Sequence, residues 1–343
     1  MISVDRFDGT EAEWNRFAAE QRGYTHYHRL EWRSLIGDVF GHECLYLSAR
    51  EGRGRGAELT GVLPLVRVRS MVFGHYLVSM PFLNYGGPLG NDAAIRALVA
   101  EASELARRDK VKLLELRSKV PLDVSLPASH RKITVVLDLP ADEDVLFHGF
   151  DAKLRSQIRR PQKEGVTVEF GSEQVVPFFT VFARHMHDLG TPALPLRFFR
   201  ELADRFSEDC WFACAYLSGR PVAASCGFQF GGEFEMTWAS SLRSHNREAP
   251  NMLLYWACMQ RAISRGLERF NFGRCTPGAG THRFKMQWGG REEPLWWYGL
   301  ASSKGAATPS PHDSAFRFGP RLWRRLPESI ATAVGPSIVR YIP

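Results

Sequence analysis

The segment FNFGRCTPGAGTHRFKMQWGG, residues 270–290, combines closely spaced glycines with a lysine. Gly273 and Gly278 have the G-x-x-x-x-G spacing of a phosphate-binding loop, which requires Lys and then Ser or Thr directly after the second glycine. Ala and Gly occupy those two positions, and the nearest lysine, Lys285, follows seven residues after Gly278. The segment is therefore not a nucleotide loop, and Lys285 is a cation placed just beyond a glycine-rich turn.

A second candidate site is a basic run in the middle of the chain, DAKLRSQIRRPQKEG. Residues 155, 159 and 163 share one helical face, and residues 152–163 include no acid. Charge runs are often solvated helix faces. The absence of acidic residues makes binding of an anionic partner such as phosphate an equally good interpretation. Pro161 predicts that the helix bends or ends there. The cations of this run are Lys153, Arg155, Arg159, Arg160 and Lys163.

Histidines form two H-x-H pairs, one at residues 26 and 28 and one at His185 and His187. Neither pair has a third metal ligand at a suitable spacing, and residues two apart on a helix diverge. We therefore expect structural or substrate-lining histidines and no metal site. The G-x-S-x-G motif of α/β hydrolases is missing, which disfavours a serine hydrolase.

Two further side chains have the chemistry of a catalytic group. Cys275 would need an activating base, for which His282 is the local candidate. Glu235, on the predicted strand GEFEMTW, points away from Phe234 and Met236. It is a candidate general base at a sheet surface or a solvated glutamate at a sheet edge.

Composition sets the frame for these residues. The chain has 343 residues, 44% of them hydrophobic and 24% charged, which predicts a soluble protein of two domains. Six cysteines without C-x-x-C spacing predict reduced thiols, and the net charge of +7 permits an anionic partner. The first thirty residues are polar and no apolar run approaches about 20 residues. We expect a cytoplasmic protein that works near the inner face of the membrane.

The predicted elements occur in the same order in both halves: strands, a helix, a basic turn and a closing strand. This order predicts a mixed α/β fold built from two related units, residues 1–148 and 149–300. Residues 301–343 form a Ser/Pro/Gly linker and a basic-aromatic tail. Such a tail either docks on the body of the protein, which we favour, or makes peripheral contact with a membrane.

An ordered series of blocks resembles the Fem family of aminoacyl-tRNA-dependent transferases, which have two tandem domains of the GNAT acyltransferase fold. These blocks span residues from about 25 to 300 and are similar to a FemAB-like branch associated with exopolysaccharide and PEP-CTERM systems. They are GVLPLVRVRS, LVSMPFLNYGGPL, KLRSQIRRPQKEGV, HMHDLGTPALPLRFF, APNMLLYWACMQRAISRGLERFNFGR and THRFKMQWGG.

The resemblance implies that Phe284 and Lys285 lie at an acyl-transfer centre, where the lysine stabilises the oxyanion of the tetrahedral intermediate. Gly278 and Gly280 would then let the backbone approach the substrate, or would merely turn the chain. Second-rank candidates for substrate contact are Tyr85, Asp188 and the cations Lys153, Arg155 and Arg159.

One negative observation concerns the acyl donor. GNAT enzymes that use acetyl-CoA hold its pyrophosphate on an R/Q-x-x-G-x-G/A loop before a helix. The corresponding segment here, SLRSHNREAPN, has no glycine, although Arg243 and Arg247 provide side-chain cations. The sequence therefore favours aminoacyl-tRNA over acyl-CoA as co-substrate, with no bound cofactor.

The sequence as a whole predicts an acyltransferase acting on an amine or hydroxyl of an envelope or polysaccharide-related acceptor. Two alternatives stay open: an acyl-CoA-dependent N-acyltransferase, and a non-catalytic glycan-binding module on the same scaffold.

Overall fold

The computed structural model describes residues 2–52, 54–301 and 319–342. Strands are β1 Ile2–Arg6, β2 Glu43–Cys44, β3 Leu47–Glu51, β4 Glu58–Leu63, β5 Val66–Ser70, β6 Gly74–Val78, β7 Leu89–Gly90, β8 Leu113–Ser118, β9 Ala128–Ser129, β10 Ile133–Asp138, β11 Thr167–Phe170, β12 Cys210–Leu217, β13 Arg220–Phe230, β14 Glu233–Ser241, β15 Arg269–Cys275, β16 Arg291–Pro294 and β17 Trp296–Ala301. Helices are α1 Glu11–Ala19, α2 Glu31–Phe40, α3 Asp92–Arg108, α4 Glu143–Gly149, α5 Ala152–Lys163, α6 Val175–Leu189, α7 Leu196–Arg205, α8 Pro250–Ser264, α9 Gly280–Met286, α10 Gly319–Trp323 and α11 Glu328–Val339.

The chain divides into two compact units that differ in their bounds from the domains expected at 1–148 and 149–300. Unit 1 contains described residues up to 131 together with 294–301 and 340–342, and unit 2 contains 132–293 and 319–339. Strand pairing explains the difference, because β10 pairs with β15 in unit 2 and β17 returns to pair with β8 in unit 1. Among the described residues, no helix has the length and apolar character needed to cross a membrane.

Unit 1 contains two sheets, one of four strands in the order β1-β3-β4-β7 and one of six in the order β2-β5-β6-β8-β17-β9. Helix α3 packs on β1, β3 and β4. Its N-terminus is capped by the Asn91 side chain, which accepts a hydrogen bond from the Ala94 amide. Leu98 and Ala102 follow Ala94 at helical spacing and are buried, so one apolar stripe of α3 covers the sheet.

Unit 1 also contains a buried ion pair on β8. Arg117 is 2% exposed and its Nε donates to Glu115 Oε1 at 2.8 Å. The same guanidinium donates to the carbonyls of Met80 at 2.9 Å and Leu83 at 2.8 Å. A buried charge of this kind is tolerated because its hydrogen bonds are made within the protein.

Unit 2 is built on one seven-stranded sheet in the order β11-β12-β13-β14-β15-β10-β16. Residues alternate between its faces: Trp211 and Ala213 in β12 belong to the core under α8, whereas Phe212 packs on Phe178 of α6. Helices α5 and α8 therefore cover one face, and α6 with α7 covers the other.

The parallel strands β14 and β15 pair over a short length only. Their register runs from Glu233 opposite Arg269 to Glu235 opposite Asn271. Beyond this point β14 continues to Ser241 and β15 to Cys275 without further pairing between them. The two strands separate within the sheet, and the separation leaves space beside the end of β14.

The described part of the tail docks on unit 2, as favoured from the sequence. Helix α11 packs on α6, where Arg184 pairs with Glu328 at 2.9 Å. His187 Nε2 lies 2.9 Å from the Leu326 carbonyl oxygen. The expected linker falls largely on residues 302–318, which lie outside the described residues.

Replacing Arg117 with Met tests the buried ion pair of unit 1. We expect the variant to lose about 3–5 kcal/mol of unfolding free energy, because the Glu115 carboxylate stays buried while its partner is removed. Arg96, which pairs with Asp123 at the surface, is the matched control, and Arg96→Met is expected to lose about 0–1 kcal/mol. Urea unfolding followed by circular dichroism measures both; equal losses would contradict the assignment.

Candidate active site

A cavity of about 240 Å³ lies in unit 2 beside the end of β14. Four elements supply its wall: α6 through His185, β14 through Ser240, the first turns of α8 through Tyr255, and α9 through Phe284 and Lys285. The cavity therefore collects polar and aromatic side chains from segments far apart in the sequence, next to the separation of β14 and β15.

Lys285 is the cation of this cavity and is only 7% exposed. Its Nζ donates to the carbonyl oxygens of Gly273 at 2.7 Å and Arg274 at 3.0 Å. An ammonium has three N–H donors, so these two bonds leave one for a group inside the cavity. The ammonium is thereby held at a fixed position with a donor to spare.

A network of buried polar groups positions Gly273, which supplies one of the two carbonyls that bind Lys285. Gly273 has φ of +72°, a conformation that glycine adopts without strain, and its amide donates to Asn271 Oδ1 at 2.8 Å. Asn271 is fully buried and donates from Nδ2 to Glu233 Oε1 at 2.9 Å. Thr134 on β10 donates to Asn271 Oδ1, next to the register shift between β10 and β15. Gly273, whose carbonyl accepts from Lys285, lies within this irregularity.

Burial dominates the electrostatics of Lys285 and lowers its pKa to about 8. The nearby acidic groups of Cys275 and Glu235 act in the opposite direction, and the Arg274 cation adds to the lowering. The lysine is therefore a mixture of ammonium and amine near pH 8, and largely ammonium at neutral pH.

Glu235 does not have the solvated edge position that the sequence allowed. Its side chain is fully buried in β14, inside the seven-stranded sheet and in register with Asn271. Its charge raises the pKa of Lys285, so the two groups are electrostatic neighbours. Glu235 is not among the described residues that line the cavity, and its interaction with Lys285 is one of charge.

Phe284 belongs to an aromatic cluster that fixes α9 against α8. Its ring meets the edge of Tyr255 with a centroid distance of 5.0 Å, and Tyr255 stacks on Phe272 at 5.8 Å. Trp288, which is fully buried, packs on Tyr255 at 6.1 Å. Both Phe284 and Tyr255 also line the cavity, so the cluster orients the wall in which Lys285 lies.

The sequence predicted His185 only as a structural or substrate-lining histidine and did not assign it to a site. It lines the cavity, and its buried Nδ1 has no hydrogen-bond partner among the described residues. Burial lowers its pKa and the Arg243 cation acts in the same direction, which outweighs the Asp188 carboxylate that raises it. His185 is therefore neutral at physiological pH and can accept a proton. His187, by contrast, is bonded to the Leu326 carbonyl and is structural.

Residues 149–286 match the sequence profile of a family described as an acetyltransferase (GNAT) domain. The crystal structure of FemX superposes on 87% of this chain and 97% of its own, with a TM-score of 0.64 and 15% identity. A tandem GNAT protein from the clavulanic acid biosynthesis pathway covers 90% of this chain and 100% of its own, with a TM-score of 0.55 and 14% identity. The chain has a tandem GNAT fold.

A third similar structure is that of L-PGS from Bacillus licheniformis, which covers 92% of this chain and 98% of its own. Its TM-score is 0.56 at 13% identity, so this likeness also concerns the GNAT fold alone. Among curated proteins, no sequence matches the chain.

The two glycines that were expected to let the backbone approach a substrate have different surroundings in the C-terminal GNAT unit. Gly280 lines the cavity, and a Cβ there would meet no atom within 4 Å. Gly278 has φ of +75°, and its amide donates to His282 Nδ1 at 3.0 Å. Gly278 therefore allows the turn before α9, whereas Gly280 forms part of the cavity wall where no side chain enters the cavity.

Tyr85 and Asp188 were predicted to contact substrate, and neither lies in a position that supports this. Tyr85 is fully buried in the N-terminal GNAT unit, where it stacks on Tyr27 at a centroid distance of 6.1 Å. Asp188 follows His185 on α6 but pairs with Arg184 at 3.2 Å instead of lining the cavity. Both side chains are used in packing or pairing within their own unit.

The basic run forms α5, and the described part of the C-terminal GNAT unit does not bring its cations into the cavity. Arg155 donates to the His148 carbonyl at 3.2 Å, and Arg159 lies 4.9 Å from the Phe147 ring centroid. Lys153 and Arg159 are exposed. The helix continues through Pro161 and ends two residues later, so the proline removes a helical hydrogen bond from the last turn only.

The alternative nucleophile and metal sites gain no support from the geometry. Cys275 is buried, which raises the pKa of its thiol, and its expected base His282 bonds instead to Gly278 and Glu292. Over residues 2–52, 54–301 and 319–342, no group of three or more His, Cys, Asp or Glu is arranged to hold a metal ion.

An NMR titration of labelled lysine side chains tests the electrostatics of the site. We expect Lys285, assigned through Lys285→Arg, to titrate near pH 8 because burial lowers its pKa. Glu235→Gln is expected to move this midpoint lower still, since it removes a charge that raises the pKa. Glu268→Gln, at an exposed position of the same unit, is the control and should leave it unchanged. An upward shift in Glu235→Gln would contradict the arrangement.

Proposed function

We propose that the protein is an acyltransferase that moves an aminoacyl group from aminoacyl-tRNA to an amine or hydroxyl of an envelope or polysaccharide-related acceptor. The observation that carries the proposal is the buried ammonium of Lys285, held on two carbonyls with one N–H left for the cavity. The GNAT profile over residues 149–286 supports acyl transfer as the reaction class.

The reaction follows from the charge that develops during transfer. The acceptor nitrogen or oxygen attacks the acyl carbonyl carbon, forms a new bond to it and drives the carbonyl π electrons onto oxygen. The remaining N–H of Lys285 donates to this oxyanion, and because the ammonium is largely buried and held on two carbonyls, the stabilisation is large. Collapse of the intermediate expels the ribose hydroxyl of the tRNA end, and the acyl group stays on the acceptor.

His185 is the group we assign to the proton of the acceptor. It lines the same cavity as Lys285, and burial keeps it neutral at physiological pH. A neutral imidazole accepts the proton that the acceptor loses on attack and returns it to the leaving oxygen. An uncharged amine attacks without assistance, so His185 matters most for a hydroxyl or a protonated amine.

The donor is an anion, and the described side chains offer two places for its phosphates. Arg243 lies close enough to His185 to lower its pKa, so a cation stands near the cavity beside the start of α8. Exposed Lys153 and Arg159 on α5 offer a second, more extended surface of the kind that nucleic-acid backbones need. The second surface is the reason for favouring tRNA.

An acyl-CoA donor is the second candidate, favoured by the position of Arg243. Calorimetry with CoA and a transfer assay with charged tRNA distinguish the two donors. Tight CoA binding without any response to charged tRNA would select acyl-CoA. A glycan-binding module predicts no turnover with either donor and unchanged glycan binding in Lys285→Met.

Lys285→Met tests the oxyanion role while retaining the length and apolar stem of the side chain. We expect kcat to fall by about 10² to 10³, because one fixed donor to the oxyanion is lost. Arg220→Met, which removes an exposed cation of the same unit away from the cavity and from α5, is the control for catalysis and should leave kcat unchanged. Circular dichroism checks the fold, and full activity in Lys285→Met would exclude the proposed role.

The pH profile adds a second test of the same residue. Its pKa of about 8 predicts that kcat falls above pH 8, as the ammonium loses the proton that it donates. A profile that rises through this range would mean that the free amine of Lys285 is the active form.

His185→Gln tests the proton acceptor. We expect kcat to fall by about 10² to 10⁴ and the acid limb of the pH profile to disappear, because the titrating group is removed. His187→Gln, two residues along the same helix, should retain the acid limb. The assignment fails if the two variants have the same profile.

A further inference from the structure

The most exposed apolar side chains among the described residues lie at one point of the N-terminal GNAT unit. Met71 is 106% exposed and Val72 is 81% exposed. They occupy the tip between β5 and β6, whose strands pair up to Ser70 opposite Gly74. Two adjacent aliphatic side chains that project fully from a hairpin tip form a contiguous exposed apolar patch, which marks a candidate interaction site.

The backbone of this tip is hydrogen-bonded within the protein. Ser70 Oγ accepts from the amides of Val72 at 3.2 Å and Phe73 at 3.0 Å. The Phe73 carbonyl accepts from Tyr76 Oη at 2.7 Å and Lys112 Nζ at 3.2 Å. Polar backbone groups that already have partners lower the cost of placing the tip in a medium poor in water.

Exposed cations lie on this hairpin and on the segment that is bonded to it. Residues 67–75 and 107–112 contain six Lys or Arg, of which Arg67 is buried and pairs with Glu43 and Asp109, and Arg107 pairs with Glu104. The two segments are joined by the bond from the Lys112 amide to the His75 carbonyl at 2.7 Å. The exposed cations are Arg69, Arg107, Arg108, Lys110 and Lys112.

We propose that this hairpin docks the protein on an anionic lipid surface. Met71 and Val72 enter the boundary between headgroups and acyl chains, and the exposed cations contact the lipid phosphates. A small aliphatic tip is much less than the roughly 800 Å² per partner of a stable protein interface. Nucleic acid would use the cations but would leave the aliphatic tip in water. The apolar tip and its cations together fit a membrane surface, whatever acyl group the protein transfers.

Vesicle co-sedimentation of the full chain tests the proposal. We expect binding to phosphatidylcholine vesicles that contain phosphatidylglycerol, weak binding to phosphatidylcholine alone, and loss of binding at high salt. The double variant Met71→Ser/Val72→Ser should lower the partition coefficient about tenfold or more, because the buried apolar area is removed. Leu322→Ser, which changes another apolar residue at 66% exposure, is the matched control and should bind like the parent.

A second measurement locates the tip itself. An environment-sensitive dye attached through Val72→Cys should shift its emission to the blue on vesicles containing phosphatidylglycerol and stay unchanged with tRNA. Three outcomes would overturn the proposal: loss of binding in Leu322→Ser but not in the hairpin variant, a dye response to tRNA, or a dimer in solution that the hairpin variant dissociates. Circular dichroism confirms that each variant folds.

Discussion

The contact between the Lys285 ammonium and the carbonyls of Gly273 and Arg274 is the interaction on which the candidate site depends. An ammonium in a site with 7% exposure is costly unless its donors are satisfied, and these carbonyls supply two bonds. The carbonyls point to Lys285 because Gly273 adopts positive φ and its amide is held by Asn271. Burial of the ammonium lowers the pKa of Lys285 to about 8, and the two carbonyl bonds leave one donor for the cavity.

The sheet of unit 2 makes room for this arrangement by letting two strands separate. Strands β14 and β15 pair only as far as Glu235 and Asn271, and the polar groups of the site lie at and beyond that point. Lys285 of helix α9 bonds to the backbone of β15, and an aromatic cluster around Tyr255 holds α9 in place. A local break in the sheet thus provides both the cavity and the backbone groups that line it.

Several residues selected from the sequence lie elsewhere for one physical reason: residue type and local period do not report burial or partners. Tyr85 is in a core, Asp188 is paired with Arg184, and Glu235 is inside the sheet instead of at its edge. The bounds of the two compact units also differ from those expected from the sequence, because β10 and β17 each pair with a strand distant in sequence. Pairing of this range leaves no mark on the local pattern of residues.

The sequence alone determined the mixed α/β class, the tandem GNAT fold and the placement of Lys285 and Phe284 after a glycine-rich turn. Those features depend on local periodicity and on an ordered series of blocks, both of which are linear in the chain. Only the tertiary structure brought His185 from α6 to the cavity of Lys285 and gave His187 a structural partner. It also held the ammonium on the Gly273 carbonyl, because desolvation and hydrogen bonding arise from side chains that meet only after folding.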